Sequence, residues 1–109
     1  MLNSMQSREL KIREIRQRLV ALNGVNYYMH GGCYEFACEL MKECGGELHV
    51  NRTSEHCAVL IDGSLFDANG RIKDASSFRK ARDYDVATFA SQCHPPKKMR
   101  RMFNEALQN

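Results

Sequence analysis

The dipeptide Asp62-Gly63 sits inside HCAVLIDGSLFDANG, residues 56–70, between two short runs of aliphatic and aromatic residues. An Asp-Gly pair in that setting is a strong hairpin signal, because the tight primed turn needs positive φ at both central positions. A two-residue loop also dictates which side chains share a face. Ile61 then faces Ser64, Leu60 faces Leu65, Ala58 faces Asp67 and His56 faces Asn69. His56 and Asp67 become diagonal neighbours on one face, about 7–8 Å apart, within reach for a histidine and a carboxylate. A three-residue loop would send Asp67 to the other face.

The hairpin is preceded by a different periodicity. Cys33, Phe36, Ala37, Leu40, Met41 and Cys44 fall at helical spacing, which predicts one continuous buried stripe. Glu35 and Glu39 lie on the other side, and Gly45-Gly46 ends the helix. A helix this apolar is expected to lie centrally against a sheet. Ahead of it, Leu10 to Leu22 reads as a helix with Ile12, Ile15, Leu19 and Leu22 on one face, capped by Ser7 and stopped by Asn23-Gly24. Tyr27 and Tyr28 are expected in a loop that leads to the glycine pair Gly31-Gly32.

ELHV, residues 47–50, is a short candidate strand, joined to the hairpin by the polar stretch NRTSE. After Gly70 the pattern is weaker. Ala75 to Arg82 is expected to form a short helix capped by Asp74, and Tyr84 to Ser91 fits either a strand or a helix. Pro96 to Leu107 is expected to be a helix, with proline in its first turn and Met99, Met102, Phe103 and Leu107 on one face. The fold class predicted for residues 1–109 is therefore a single α+β domain. A central helix carries Cys33 and packs on a small antiparallel sheet, with helices at both ends.

No run approaches the roughly 18 apolar residues of a membrane span, and MLNSMQSRELKIREIRQ is too polar for a signal peptide. The expected location is the cytoplasm. There the five cysteines are reduced, since their number is odd and their spacing matches no disulfide framework. Cys33, Cys38, Cys44, Cys57 and Cys93 include no C-x-x-C pair, so no metal or other cofactor is expected. The net charge of +3 has one local concentration, the basic cluster at 97–101 in PPKKMRR. We read it as the solvated face of the last helix; contact with nucleic acid or an acidic partner is the lesser alternative.

One combination carries chemistry. Cys33 opens a helix, His56 opens a strand and Asp67 ends the next. A cysteine nucleophile needs thiolate character, which a helix N-terminus supplies through its dipole and unpaired N–H groups. A histidine then acts as base, and a third polar group orients it. Gly31 and Gly32 allow a sharp turn and close substrate approach. Singly, each residue has a plainer reading: Cys33 as core, His56 as a strand-end surface residue, Asp67 as a turn former. Asn69 is a second candidate orienter, ranked below Asp67 because a carboxylate better stabilises imidazolium. Oxyanion donors would be the Cys33 amide and one further group, for which Asn26, Tyr27 and Tyr28 are the candidate sources; Gly32 and Asn69 also line the site.

The order of these residues resembles the papain-like cysteine hydrolase superfamily, including its NlpC/P60 and transglutaminase-like branches. GGCYEFACEL…EHCAVLIDGSLFDANG is more closely similar to a group of small proteins, many phage-encoded, that share a GGCYxFA…HxxV…DGxxxDxxG pattern. The resemblance spans Gly31 to Gly70 and implies Cys33 as nucleophile, His56 as base and Asp67 as orienter. It names no substrate. The short interval from Cys33 to His56 leaves little sheet for substrate subsites. The function expected is a minimal thiol hydrolase cleaving an amide or isopeptide bond in a protein or peptide: a peptidase, deamidase or acyl-transfer enzyme. The alternative is a non-catalytic binding protein, such as a phage-type inhibitor, on a degenerate version of the same fold.

Overall fold

The computed structural model describes residues 4–53 and 55–92. Among the described residues, four helices accompany one five-stranded antiparallel sheet, so the fold is α+β. In chain order the elements are α1 (Ser4–Asn23), α2 (Val25–Met29), α3 (Cys33–Cys44), β1 (Glu47–Asn51), β2 (Cys57–Ile61), β3 (Ser64–Asp67), β4 (Gly70–Arg71), β5 (Phe78–Lys80) and α4 (Asp83–Gln92). The sheet order is β4-β3-β2-β1-β5, which makes β2 the central strand.

The β2–β3 hairpin closes over Asp62 and Gly63 at φ 50° and 82°, the positive pair that a type I′ turn requires. Its register pairs Ile61 with Ser64, Leu60 with Leu65 and Val59 with Phe66. Pairing of β1 with β2 sets Leu48 opposite Val59 and Val50 opposite Cys57. Leu48, Val50, Cys57, Val59, Ile61 and Phe66 thereby share one face, and all six belong to the buried core.

That face is covered by α3, whose Cys33, Phe36, Ala37 and Leu40 are buried, Leu40 completely. Met41 and Cys44, at the margin of the stripe, are only partly buried. α1 packs on α3 through Ile12, Ile15 and Leu19, and the Tyr28 ring meets Phe36 edge to face at 5.4 Å.

Several sequence expectations need correction. α1 begins at Ser4, so Ser7 lies inside the helix and does not cap it. Leu22 continues the heptad arithmetic but is 62% exposed, because the chain turns at Gly24 before the stripe reaches the core. Tyr27 and Tyr28 lie on α2, a short helix, and not in a loop. The expected helix over 75–82 is absent. Asp74 does cap, but it caps a turn: its Oδ1 accepts the Ser76 amide at 3.1 Å and the Ser76 hydroxyl at 2.7 Å. Residues Phe78–Lys80 then pair with the open edge of β1, His49 opposite Lys80 and Asn51 opposite Phe78. Tyr84 to Ser91 resolves as helix, within α4. Asp85 on its first turn is buried, accepts both guanidinium nitrogens of Arg79 at 2.8 and 3.1 Å, and takes the Arg82 amide at 2.8 Å. A side chain at the third helical position reaching back to the cap amide is half of a capping box. The expected helix from Pro96 and the basic cluster at 97–101 lie outside the described residues.

These placements separate two leucines of similar sequence context. Leu40→Ala should cost about 2–5 kcal/mol in urea denaturation, the range for emptying a fully buried leucine site. Leu22→Ala should stay within about 0.5 kcal/mol, as a surface change does.

Candidate active site

Cys33 is the first residue of α3, held there by the turn before it. Gly31 has φ 125°, a value that excludes other residues in practice. Gly32 donates its amide to the Tyr27 carbonyl at 2.9 Å. A Cβ on Gly32 would stand 2.7 Å from Tyr27 Cε1 and 2.9 Å from the Tyr27 carbonyl oxygen. The Tyr27 hydroxyl in turn donates to Glu35 on α3. Tyr27 thus walls the turn and fixes the angle at which Cys33 enters the helix. The amides of the first helical turn have no carbonyl partner within the helix, so positive charge gathers around Cys33.

His56 stands immediately before β2 and is held by Asn51, the last residue of β1. Asn51 Oδ1 accepts the Glu55 amide at 3.0 Å and the His56 amide at 3.2 Å, while the Asn51 amide donates to the His56 carbonyl at 3.0 Å. Both backbone groups of His56 are therefore committed to one residue. Its ring meets that of Phe78 in a T-shaped arrangement at a centroid distance of 6.4 Å.

His56 Nε2 lies 2.9 Å from Asp67 Oδ2. The other Asp67 oxygen accepts the Asn69 amide at 2.9 Å. The imidazole also hydrogen-bonds the Cys33 sulfur, so Asp67 on one side and Cys33 on the other bracket the ring. With Nε2 committed to Asp67, Nδ1 is the nitrogen left for sulfur.

Cys57 also belongs to this site, although nothing in the sequence pattern singled it out. Strand alternation turns it toward α3, and its thiol and its backbone amide both donate to Cys33. The Cys33 sulfur thus accepts from the Cys57 side chain, the Cys57 amide and His56.

The electrostatic outcome follows from those donors. The Cys57 hydrogen bond, aided by His56 and the Cys57 amide, pulls the Cys33 thiol down to about 4 against the opposing effect of burial. Hydrogen bonds to Asp67 and then Cys33 push His56 up to about 9. Bonding to Cys33 and burial push the Cys57 thiol up. Burial also raises Cys38 and Cys44. Near neutrality the site holds a Cys33 thiolate, a His56 imidazolium and a Cys57 thiol.

The remaining site-lining residues are distributed differently. Asn69 meets Asp67 through its backbone; its exposed side chain lines a groove of about 310 Å³ on the far side of the turn. Arg13 and Arg16 of α1 and Arg71 of β4 also line that groove, and Arg16 Nε donates to the Ala68 carbonyl at 2.6 Å. Asn26 is exposed on α2, and its carbonyl accepts the His30 amide at 3.0 Å. Among the described residues, no three His, Cys, Asp or Glu side chains are grouped to hold a metal ion, and no helix is long and apolar enough to cross a membrane.

No protein-family model, no curated protein and no solved structure matches this chain.

Two measurements probe this geometry. Gly32→Ala should cost about 1–3 kcal/mol of stability, because the new methyl meets the Tyr27 ring and backbone. Stability should also vary with pH in three stages. Unfolded cysteine and histidine titrate at about 8.5 and 6.5. From about 4 to about 6.5 the folded chain has released the Cys33 proton that the unfolded chain keeps, so stability rises with pH. From about 6.5 to about 8.5 the extra proton on folded His56 balances the one missing from Cys33, and stability is level. Above about 8.5 it falls, as the folded state holds protons on His56 and Cys57 that the unfolded chain has lost. Urea midpoints across pH should follow this course, and Cys33→Ala should abolish the rise between about 4.5 and about 6.5, above the range in which the carboxylates titrate.

Proposed function

We propose that this protein is a small thiol hydrolase of papain-like plan that cleaves an amide or isopeptide bond in a protein or peptide. The observation that carries the proposal is the bracketed imidazole: Asp67 Oδ2 at 2.9 Å from His56 Nε2, with the same ring hydrogen-bonded to the Cys33 sulfur. Cys33 on α3, His56 just before β2 and Asp67 on β3 supply nucleophile, base and orienter in this reading.

In this reading the Cys33 thiolate attacks the scissile carbonyl, and the C–S bond forms as the carbonyl electrons move to oxygen. First-turn amides of α3 stabilise that oxyanion. Collapse breaks the C–N bond while His56 gives its proton to the departing amine, leaving a thioester and a neutral imidazole. His56 then takes a proton from water as the hydroxide attacks the thioester. Expulsion of the thiolate regenerates the ion pair. Asp67 keeps the ring oriented and stabilises its charged form throughout.

One observation favours the second reading, a non-catalytic binding protein on this fold. Cys33 is only 7% exposed, so a polypeptide reaches its sulfur at an edge.

Alkylation by iodoacetamide with peptide mapping separates the two. A hydrolase should show one fast cysteine, Cys33, at near-constant rate between about pH 5 and about pH 8, since thiolate is the reacting species. His56→Ala should slow it about tenfold or more near pH 6, and Asp67→Asn should do so to a lesser degree. Slow and equivalent labelling of all the thiols would leave only the binding reading. Trapping with an electrophile that captures Cys33 would then identify the acyl donor.

A further inference from the structure

We propose that Cys33 and Cys57 form a reversible peroxide-reactive pair, with Cys33 the sulfur oxidised first and Cys57 the resolving thiol that closes a disulfide on it. The proposal uses the same thiolate as the hydrolase reading and none of its substrate.

The placement comes from the fold. Cys33 opens the buried face of α3, Cys57 opens the central strand beneath it, and the two belong to one core cluster. Both are free thiols on elements packed together, α3 on β2, and each is the largest influence on the other's thiol. Adjoining thiols leave little distance to cover, because disulfide closure needs the two Cβ atoms to approach to about 3.5–4.5 Å. Access points the same way. At 7% and 1% exposure the pair is poorly open to large reactants, whereas a hydroperoxide is small and attacks a thiolate directly.

The steps balance on the groups present. The Cys33 thiolate attacks one oxygen of hydrogen peroxide; the S–O bond forms and the O–O bond breaks. The leaving hydroxide takes the His56 proton and departs as water. Cys33 is now a sulfenic acid, oxidised by two electrons, and His56 is neutral. The imidazole then withdraws the Cys57 proton, and the new thiolate attacks the Cys33 sulfur. The S–S bond forms as the S–O bond breaks, and hydroxide leaves with the proton from His56 as a second water. The net change is two thiols and one peroxide to one disulfide and two waters. An external dithiol restores the pair by exchange. Cys57 thereby diverts the oxidised nucleophile away from irreversible sulfinic acid.

The test treats the reduced full-length protein with hydrogen peroxide and reads intact mass and peptide map. The expected result is a loss of about 2 Da, one hydrogen from each thiol, with Cys33 linked to Cys57 and full recovery by dithiothreitol. Cys57→Ala should instead gain about 32 Da at Cys33, two oxygens, and dithiothreitol should not reverse it. Cys38→Ala should behave as wild type. A wild-type Cys33 that passes to sulfinic acid while Cys57 stays alkylatable overturns the proposal, and so does a link between any other pair. If Cys57→Ala fails to fold, the wild-type peptide map decides alone. Fast alkylation of reduced Cys33 without a Cys33–Cys57 link overturns the disulfide and leaves the hydrolase reading standing. A link in a protein that no activity-based electrophile traps supports the disulfide and counts against the hydrolase.

Discussion

The candidate site depends on the N-terminus of α3 seating on the first residue of β2. The contact is apolar in origin. Phe36, Ala37 and Leu40 are driven against Val59 and its neighbours by loss of water-exposed surface. Its chemical yield is at one end, where Cys33 is carried down onto Cys57 and alongside His56. An interaction without directional preference thus positions a strongly directional one. The turn before the helix supplies the accuracy, because Gly32 leaves no room for any Cβ beside Tyr27.

The hairpin makes a comparable conversion. Positive φ at Asp62 and Gly63 fixes the register, and the register decides which side chains can meet. His56 lies one residue outside the paired strand, where alternation alone would not hold it. The Asn51 carboxamide takes over that task, so strand geometry and a side-chain clamp each fix one part of the same histidine.

Legibility from sequence followed the locality of the forces. The bounds of α3 and the loop length of the hairpin were readable, because both rest on spacing and turn chemistry within about a dozen residues. Residues 71–82 were not. Asp74 signals a cap equally well for a turn or a helix, and the choice was made by the vacant edge of β1, which local sequence does not contain. Leu22 failed for a related reason: helical spacing predicts direction but not how far the neighbouring core extends. In the candidate site, Cys33, His56 and Asp67 were found through residue type, element and register. Cys57 and Asn51 were missed. Strand alternation placed Cys57 on the face opposite to His56, and only the end-on seating of α3 brings both to one sulfur. Asn51 had one faint signal, its place at the head of a polar connection where asparagine often bonds nearby amides.

The tether from Arg16 to the Ala68 carbonyl ties the first helix to the turn immediately after Asp67. Helix, hairpin and Cys33 are therefore closed into one circuit across nearly half the chain's length. The charge state of a single sulfur reports whether that circuit is complete. Loosening α1, slipping the hairpin by one residue or lifting α3 would each return Cys33 to an ordinary thiol. The ultraviolet absorbance of its thiolate is thus a built-in indicator of assembly, and chemistry at this site is an all-or-none property of the tertiary structure.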